Sequence, residues 1–464
     1  MRYMKKKSIL LFLSLIASNL LSAQEFSRPL ISLNQGWQST VSDDNPQAQD
    51  GFQDKKHDCT GWEKVNIPHN WDTYEGYRRL LHGNRHGTAW YRKTFSINNP
   101  DPDNRYFLFF EGVGSYATVY LNGDEVGYHA GGRTTFTLDV TNSIHTDGSD
   151  NLLAVKADHP AGIEDLPWVC GGCSPEWGFS EGSQPFGIFR PVSLYSTDAV
   201  RIQPFGIHIW NDTTVGSGSA TLYIDAELRN YGSSARNVTV LHQLLDRDGN
   251  VVGSSETWTG IDYGRNHNVH TEDMIIQNPV LWSPDDPYLY TLVSEIRQND
   301  RILDRVETRY GIRWISWPIY REDGDHRFYI NGKPFFINGT AEYEHMIGQG
   351  HAFTDLQVKT RVMQVKAAGF NAFRDAHQPH NLRYQDYWDE LGILFWTQMS
   401  AHIWFDTPEF TENFRQLLRD WVKERRNSPS VILWGLQNES TMPEWFAKEC
   451  TEIIREMDPT SPSQ

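Results

Sequence analysis

Cysteine is scarce in this chain, with four residues in 464. A protein so poor in cysteine is not held together by a lattice of disulfides. Two of the four, Cys170 and Cys173, flank a pair of glycines in a glycine-rich stretch. They read as loop thiols or as one local disulfide. A structural zinc site needs two further ligands, and no second close pair supplies them. Positive charge is short as well. Lysine and arginine number 42 against 59 acidic residues, a net charge of -17. Such a surface repels phosphate backbones, so nucleic acid is excluded as a partner and a neutral or modestly charged substrate fits better. Long apolar runs are missing beyond the N-terminus, so no membrane anchor is expected. The one apolar run, Ile9 to Leu21, follows Lys5, Lys6 and Lys7 and leads to the small residues Ser22 and Ala23. That pattern predicts a signal peptide over 1–23, cut before Gln24, and an exported protein, periplasmic or extracellular. The first cysteine is Cys59, too far away to carry a lipid.

What the chain does have is length and aromatic residues. Its 464 residues suggest about three domains. The hydrophobic fraction of 39% and 17 tryptophans allow sizeable cores. Tryptophan faces stack on sugar rings, but for any single one packing inside a β-domain is the simpler reading.

Three rhythms follow one another. Residues 24–198 read as all-β. Ala89 to Phe95, Arg105 to Phe110, Ala117 to Leu121, Thr135 to Val140 and Leu152 to Ala157 are strand candidates. Asn122-Gly123 marks a hairpin turn. Many short strands with such turns predict a sandwich or jelly roll. Residues 199–313 continue as β, with Ala220 to Leu228 and Val238 to Leu245 the clearest strands and Asp248-Gly249-Asn250 a turn. Their span suits an immunoglobulin-like sandwich.

From residue 314 strands alternate with helices, which predicts a parallel sheet. Strands are expected at Pro334 to Ile337, Phe370 to Phe373, Ile393 to Trp396 and Val431 to Leu436. Helices are expected at Asp355 to Ala367 with Thr354 as cap, Arg383 to Leu391 ended by Gly392, Glu409 to Arg425, and Glu444 to Met457. In the third helix Phe410, Phe414, Leu417, Leu418, Trp421 and Val422 fall on one stripe. These are four β/α units in roughly 150 residues, against eight in about 250 for a (β/α)8 TIM barrel. The expectation is therefore the first half of such a barrel, in a chain that is a fragment or is completed by a partner. An open α/β sheet is the third option.

In a β/α barrel, chemistry gathers at the C-terminal ends of the strands. Those ends offer Glu342, Glu344 and His345, then Arg374, Asp375 and His377, then Gln398 and His402, then Asn438 and Glu439. Glu439 emerges from a buried strand. Partial desolvation there would raise its pKa and suit a general acid. The rival reading is a glutamate stabilising the next helix dipole. Asn438 either meets a substrate hydroxyl or caps a turn. Arg374 either orients a carboxylate or balances charge. His377 and His380, with Glu344 and His345, lack tight metal-ligand spacing, so no metal site is expected.

The motifs in order resemble glycoside hydrolase family 2, the β-galactosidases, β-glucuronidases and β-mannosidases. Ile67-Pro68-His69-Asn70-Trp71, Trp90-Tyr91-Arg92-Lys93-Thr94-Phe95, Phe110-Glu111-Gly112-Val113, Tyr120-Leu121-Asn122-Gly123 and Gly187-Ile188-Phe189-Arg190 are similar to its sugar-binding jelly roll. Leu281-Trp282-Ser283-Pro284 and Pro287-Tyr288-Leu289-Tyr290 are similar to its immunoglobulin-like domain, and Gly311-Ile312-Arg313 to the entry into its barrel. Phe328 to Phe335, Asn371-Ala372-Phe373-Arg374, Asp389 to Ile393 and Trp434-Gly435-Leu436-Gln437-Asn438-Glu439 resemble barrel segments. The resemblance implies a retaining exo-glycosidase acting on terminal β-linked sugars of an oligo- or polysaccharide, β-galactosidase first among the specificities. It implies Glu439 as general acid/base, Asn438 on the sugar 2-hydroxyl and Arg374 orienting the nucleophile, with His377, Glu344, His345 and His402 lining the substrate. No cofactor is required. Some relatives use magnesium or sodium ions, and a homo-oligomer is left open for this protein. The chain departs from the family at Ala341-Glu342-Tyr343-Glu344-His345 and at Gln398, where many relatives carry an acid. The family's nucleophile glutamate is expected beyond Gln464. Without it, a glycan-binding protein with no turnover is the alternative, with Glu342 and Glu344 the only local candidates for a second carboxylate.

Overall fold

The computed structural model describes residues 28, 30–42, 49–73, 85–97, 104–168, 185–212, 218–317, 324–346, 348–401 and 403–460. The expected signal peptide, the Cys170–Cys173 pair and His402 lie outside them.

The first part of the chain folds as two antiparallel sheets. One has six strands, in the order 63–65, 37–42, 87–96, 150–159, 116–121 and 124–130. The other has four, in the order 30–32, 192–197, 105–110 and 136–139. Inward residues of both, including Trp37, Tyr91, Leu108, Phe110, Val119 and Val155, form one core. The Asn122-Gly123 turn joins Tyr116–Leu121 to Asp124–Ala130, and both turn residues take positive φ, 58° and 98°. Two positive φ values in succession make the turn whose twist suits a hairpin.

The second part is another two-sheet sandwich. Val200–Asn211, Ser219–Asn230 and Asn266–His270 make one sheet, with Met274–Gln277 also on Ser219–Asn230. Val251–Ile261, Arg236–Leu245, Tyr290–Gln298 and Arg301–Tyr310 make the other. Along Ser219–Asn230 buried and half-buried residues alternate without a break, as the two-residue period of a strand requires.

The third part carries a parallel sheet in the order β1 (Gly339–Glu342), β2 (Ala372–Asp375), β3 (Leu394–Ala401) and β4 (Val431–Asn438). Helices α1 (Asp355–Ala367), α2 (Arg383–Leu391), α3 (Pro408–Arg425) and α4 (Glu444–Met457) follow the strands in turn. Thr354 and Gln357 form a reciprocal capping box on α1. Gly392 ends α2 at φ 67°. Phe410, Phe414, Leu417, Leu418, Trp421 and Val422 of α3 are all buried, as their spacing requires.

One strand moves from its expected place. Pro334 was expected to open the first parallel strand, but Lys333–Pro334 instead pairs antiparallel with Tyr329–Ile330. Asn331 and Gly332, at φ 50° and 74°, form the tight turn between them. That hairpin uses up the segment, and proline cannot donate to a central ladder. The first parallel strand begins five residues later, at Gly339.

The three parts are stitched together by buried polar contacts. Trp168 donates its indole N–H to Met399 O at 2.6 Å, and Gln378 donates to Trp168 O at 3.0 Å. Arg313, at the entry to the third part, donates to Pro429 O at 2.9 Å and Val431 O at 2.6 Å. Trp282 of the second part is fully buried against the base of the parallel sheet and donates to Asp389 O at 2.9 Å. Among the described residues no helix is long and apolar enough to cross a membrane.

Candidate functional site

Parallel pairing sets the ends of β1 to β4 side by side. Ala341 lies opposite Arg374, Arg374 opposite Trp396, and Ala401 opposite Asn438. Side chains far apart in sequence meet here. Arg374 donates through Nε to Gln398 Oε1 at 3.0 Å and through Nη2 to Asn438 Oδ1 at 2.7 Å. Its guanidinium lies 4.4 Å above the Trp396 ring centre, a cation–π contact. His377 Nδ1 is 3.0 Å from the same Gln398 oxygen. The His377 ring stands edge-on to Tyr343, with centres 5.5 Å apart, and Tyr343 stacks on His345 at 5.7 Å. Below this layer lies an apolar cavity of about 480 Å³, lined by Ala372, Phe373, Trp396, Ile432 and Leu433 among others. A side chain at Gly435 would put its Cβ 2.6 Å from the Trp396 indole nitrogen, so glycine there is what lets the indole lie against β4.

Asp375 sits one step further along β2, on the face turned to the helices with Phe373. It is completely buried and accepts from the Gln398 amide, from Thr397 Oγ1 at 3.2 Å and from the His380 amide at 3.4 Å. Burial pushes its carboxyl up to about 7, against the opposing pull of Arg425 and of these donors.

The structure gathers Arg374, His377, His345 and Asn438 at one end of the sheet. Glu439 follows Asn438, its backbone in the left-handed region at φ 50°. Its side chain is exposed at the edge of the four strands described. Among the described residues β4 is the outer strand of the sheet.

Glu344 does not join the layer of Arg374 and Asn438. It is buried, with Oε2 3.0 Å from Arg190 and 3.6 Å from Arg133, and Oε1 accepts from the Asn381 amide at 2.6 Å. Two arginines of the first sandwich therefore claim it. Glu342, the other candidate for a second carboxylate, pairs with Arg361 at 2.8 Å. His380 is also withdrawn into the interior against Phe373 and Tyr384. Its imidazole is held well below its ordinary pKa by burial and by Arg133, Arg361 and Arg190. Among the described residues no group of three or more His, Cys, Asp or Glu side chains is arranged to hold a metal ion.

Asp375 and Gln398 stand among the strand-end candidates of the sequence, whereas Trp396 and Tyr343 do not. The available signal was the register. Once four parallel strands are aligned, residues at the same height from each strand end become neighbours.

Three family models match the chain in succession. They are the sugar-binding domain of glycosyl hydrolases family 2 over residues 30–198, the family 2 glycosyl hydrolase model over 200–313, and the family 2 TIM barrel domain over 323–464. Among curated relatives, the β-galactosidase BoGH2A of Bacteroides ovatus is 28% identical over 92% of this chain and 48% of its own length. A β-glucuronidase of Formosa agariphila is 27% identical over 88% of this chain and 42% of its own length. The crystal structure of a Bacteroides uniformis β-glucuronidase superposes with a TM-score of 0.81 at 25% identity, covering 94% of this chain and 52% of that one. The chain spans about half the length of the curated relatives it matches.

Proposed function

The chain belongs to glycosyl hydrolase family 2, and from that premise we propose that its protein hydrolyses terminal β-linked sugars with Glu439 as the general acid/base. The observation that carries the reading is the 2.7 Å bond from Arg374 to Asn438, the neighbour of Glu439. It sets a cation and an amide beside the residue that carries the carboxyl at the end of a parallel strand. Glu439 would protonate the leaving oxygen and then activate water, while a second carboxylate forms and releases the glycosyl intermediate. Glu342 and Glu344 are both engaged by arginines, so neither is assigned that second part. Terminal β-galactosides are the first substrate to test, against β-glucuronides in parallel, since relatives bear both names.

The test is Glu439→Gln in the full-length protein. Turnover of an alkyl β-galactoside or β-glucuronide should fall by about 100- to 10,000-fold, the usual weight of general acid–base catalysis. An activated aryl glycoside, whose leaving group needs no proton, should lose less in its first step. Unchanged hydrolysis of the alkyl substrate removes Glu439 from the role. Absence of turnover in the unaltered protein, with retained binding to the sugar, favours the glycan-binding alternative. Export is proposed with it, from Lys5–Lys7 and the apolar run that follows. N-terminal sequencing of protein from the culture medium or periplasm should begin at Gln24.

A further inference from the structure

We propose that Gln398 is the positioning residue of this site, its one side-chain oxygen fixing both the placement of Arg374 and the tautomer of His377. The argument starts from what each group can do. An arginine Nε–H only donates. The Gln398 atom 3.0 Å from Arg374 Nε is therefore the oxygen and not the nitrogen of the amide. The reverse orientation would press an NH2 group against a cationic donor. The same oxygen is 3.0 Å from His377 Nδ1. An oxygen without a proton can only accept, so His377 carries its hydrogen on Nδ1. In the neutral ring the lone pair is then on Nε2.

A second consequence runs through Arg374. Its Nη2 donates to Asn438 Oδ1 at 2.7 Å, which turns the Asn438 NH2 group the other way. The layer beside Glu439 is thereby given a fixed polarity. The Asn438 NH2 group is aimed away from Arg374, and the His377 N–H is aimed at Gln398.

Gln398 can hold two partners because it is itself held. Its side chain is fully buried, and Asp375 grips its backbone amide from the helix-facing side of β2. Its own NH2 group reaches Ser400 O at 3.4 Å. A side chain locked on three sides loses little rotamer freedom on binding substrate, so its two partners start in place.

The kinetic part of this inference rests on the glycosidase reading, and the tautomer part does not. The experiment uses the full-length protein with ring-labelled ¹⁵N histidine, His377 being assigned by its loss in His377→Asn. The unaltered protein should show His377 protonated on Nδ1, and Gln398→Leu should abolish that preference. With turnover, Gln398→Leu should lower kcat/KM by about 100-fold, the scale of a misplaced site, with KM raised. Gln398→Glu keeps an acceptor oxygen in the same place and should regain at least about tenfold of that loss. A purely structural role predicts something else: less active protein at unchanged KM, and no rescue by glutamate. Finding the proton on Nε2 of His377 in the unaltered protein overturns the inference whether or not the protein turns over. Nδ1 protonation together with an unchanged KM in the leucine variant also overturns it, as a claim about positioning.

Discussion

Arg190 of the first sandwich donates to Glu344, beyond β1 of the parallel sheet, at 3.0 Å, and both side chains are almost fully buried. Arg190 also donates to Pro379 O at 2.8 Å, in the loop that carries His377 and His380. The contact thus joins two parts of the chain 154 residues apart and braces the loop beside the candidate site. Removing one partner of a buried pair leaves an uncompensated charge. Glu344→Ala is expected to destabilise the fold by about 3–5 kcal/mol in urea unfolding. Glu344→Gln, which keeps an acceptor for the Asn381 amide, should cost less. A loss below about 1 kcal/mol for the alanine variant would mean that the pair does not hold these parts together.

Asp389 gives a prediction in pH. Its carboxyl accepts from Ser428 Oγ at 2.6 Å and from the Ser430 amide at 3.0 Å, yet burial drives it up to about 7. Its folded pKa therefore lies above its unfolded one. The folded state holds this proton in the window between roughly 4 and 7, where the unfolded chain has released it. Its contribution is full below that window and is lost as pH rises through it. Asn cannot ionise, so Asp389→Asn should gain on the unaltered protein as pH rises, by on the order of 2–4 kcal/mol between pH 4 and 8. Melting both across that range checks it. A constant difference would show that Asp389 does not titrate there.

Gly392 carries a prediction about backbone. It ends α2 at φ 67°, and a Cβ there would come within 2.5 Å of Pro284 O and 2.8 Å of Pro284 Cα. An alanine would meet the left-handed penalty of about 1–2 kcal/mol and collide with main chain of the second sandwich as well. Gly392→Ala is expected to lower stability by more than about 2 kcal/mol and to loosen the seat of Trp282 on the sheet. Fluorescence of the buried tryptophans during unfolding reports both effects. An unaltered melting curve would show that the two parts slide apart at little cost.

Much of the fold was legible because it is local. Alternation along Ala220 to Leu228, the Asn122-Gly123 turn, the Thr354 cap and the apolar stripe of the third helix each follow from a period or a dihedral preference within a dozen residues. Where two local signals competed, the reading slipped. The stretch after Asn331-Gly332 looked like the start of the parallel sheet, and the turn claimed it.

The candidate site was legible as a set of strand ends and not as a set of partners. Position on a strand predicted Arg374, His377, Asn438 and Glu439. It did not predict that Arg374 would meet Gln398, 24 residues away, and Asn438, 64 residues away. Nor did it predict that Glu344 would be drawn off by Arg190.

The sequence by itself determined the elements, their order and the family, because strand and helix periods and turn chemistry are short-range properties of the chain. The tertiary structure decided which charges are paired, which carboxyls are buried and which side chains meet around Arg374. Those depend on register and on how the first sandwich docks against the parallel sheet, and burial of a charge is set by everything packed around it.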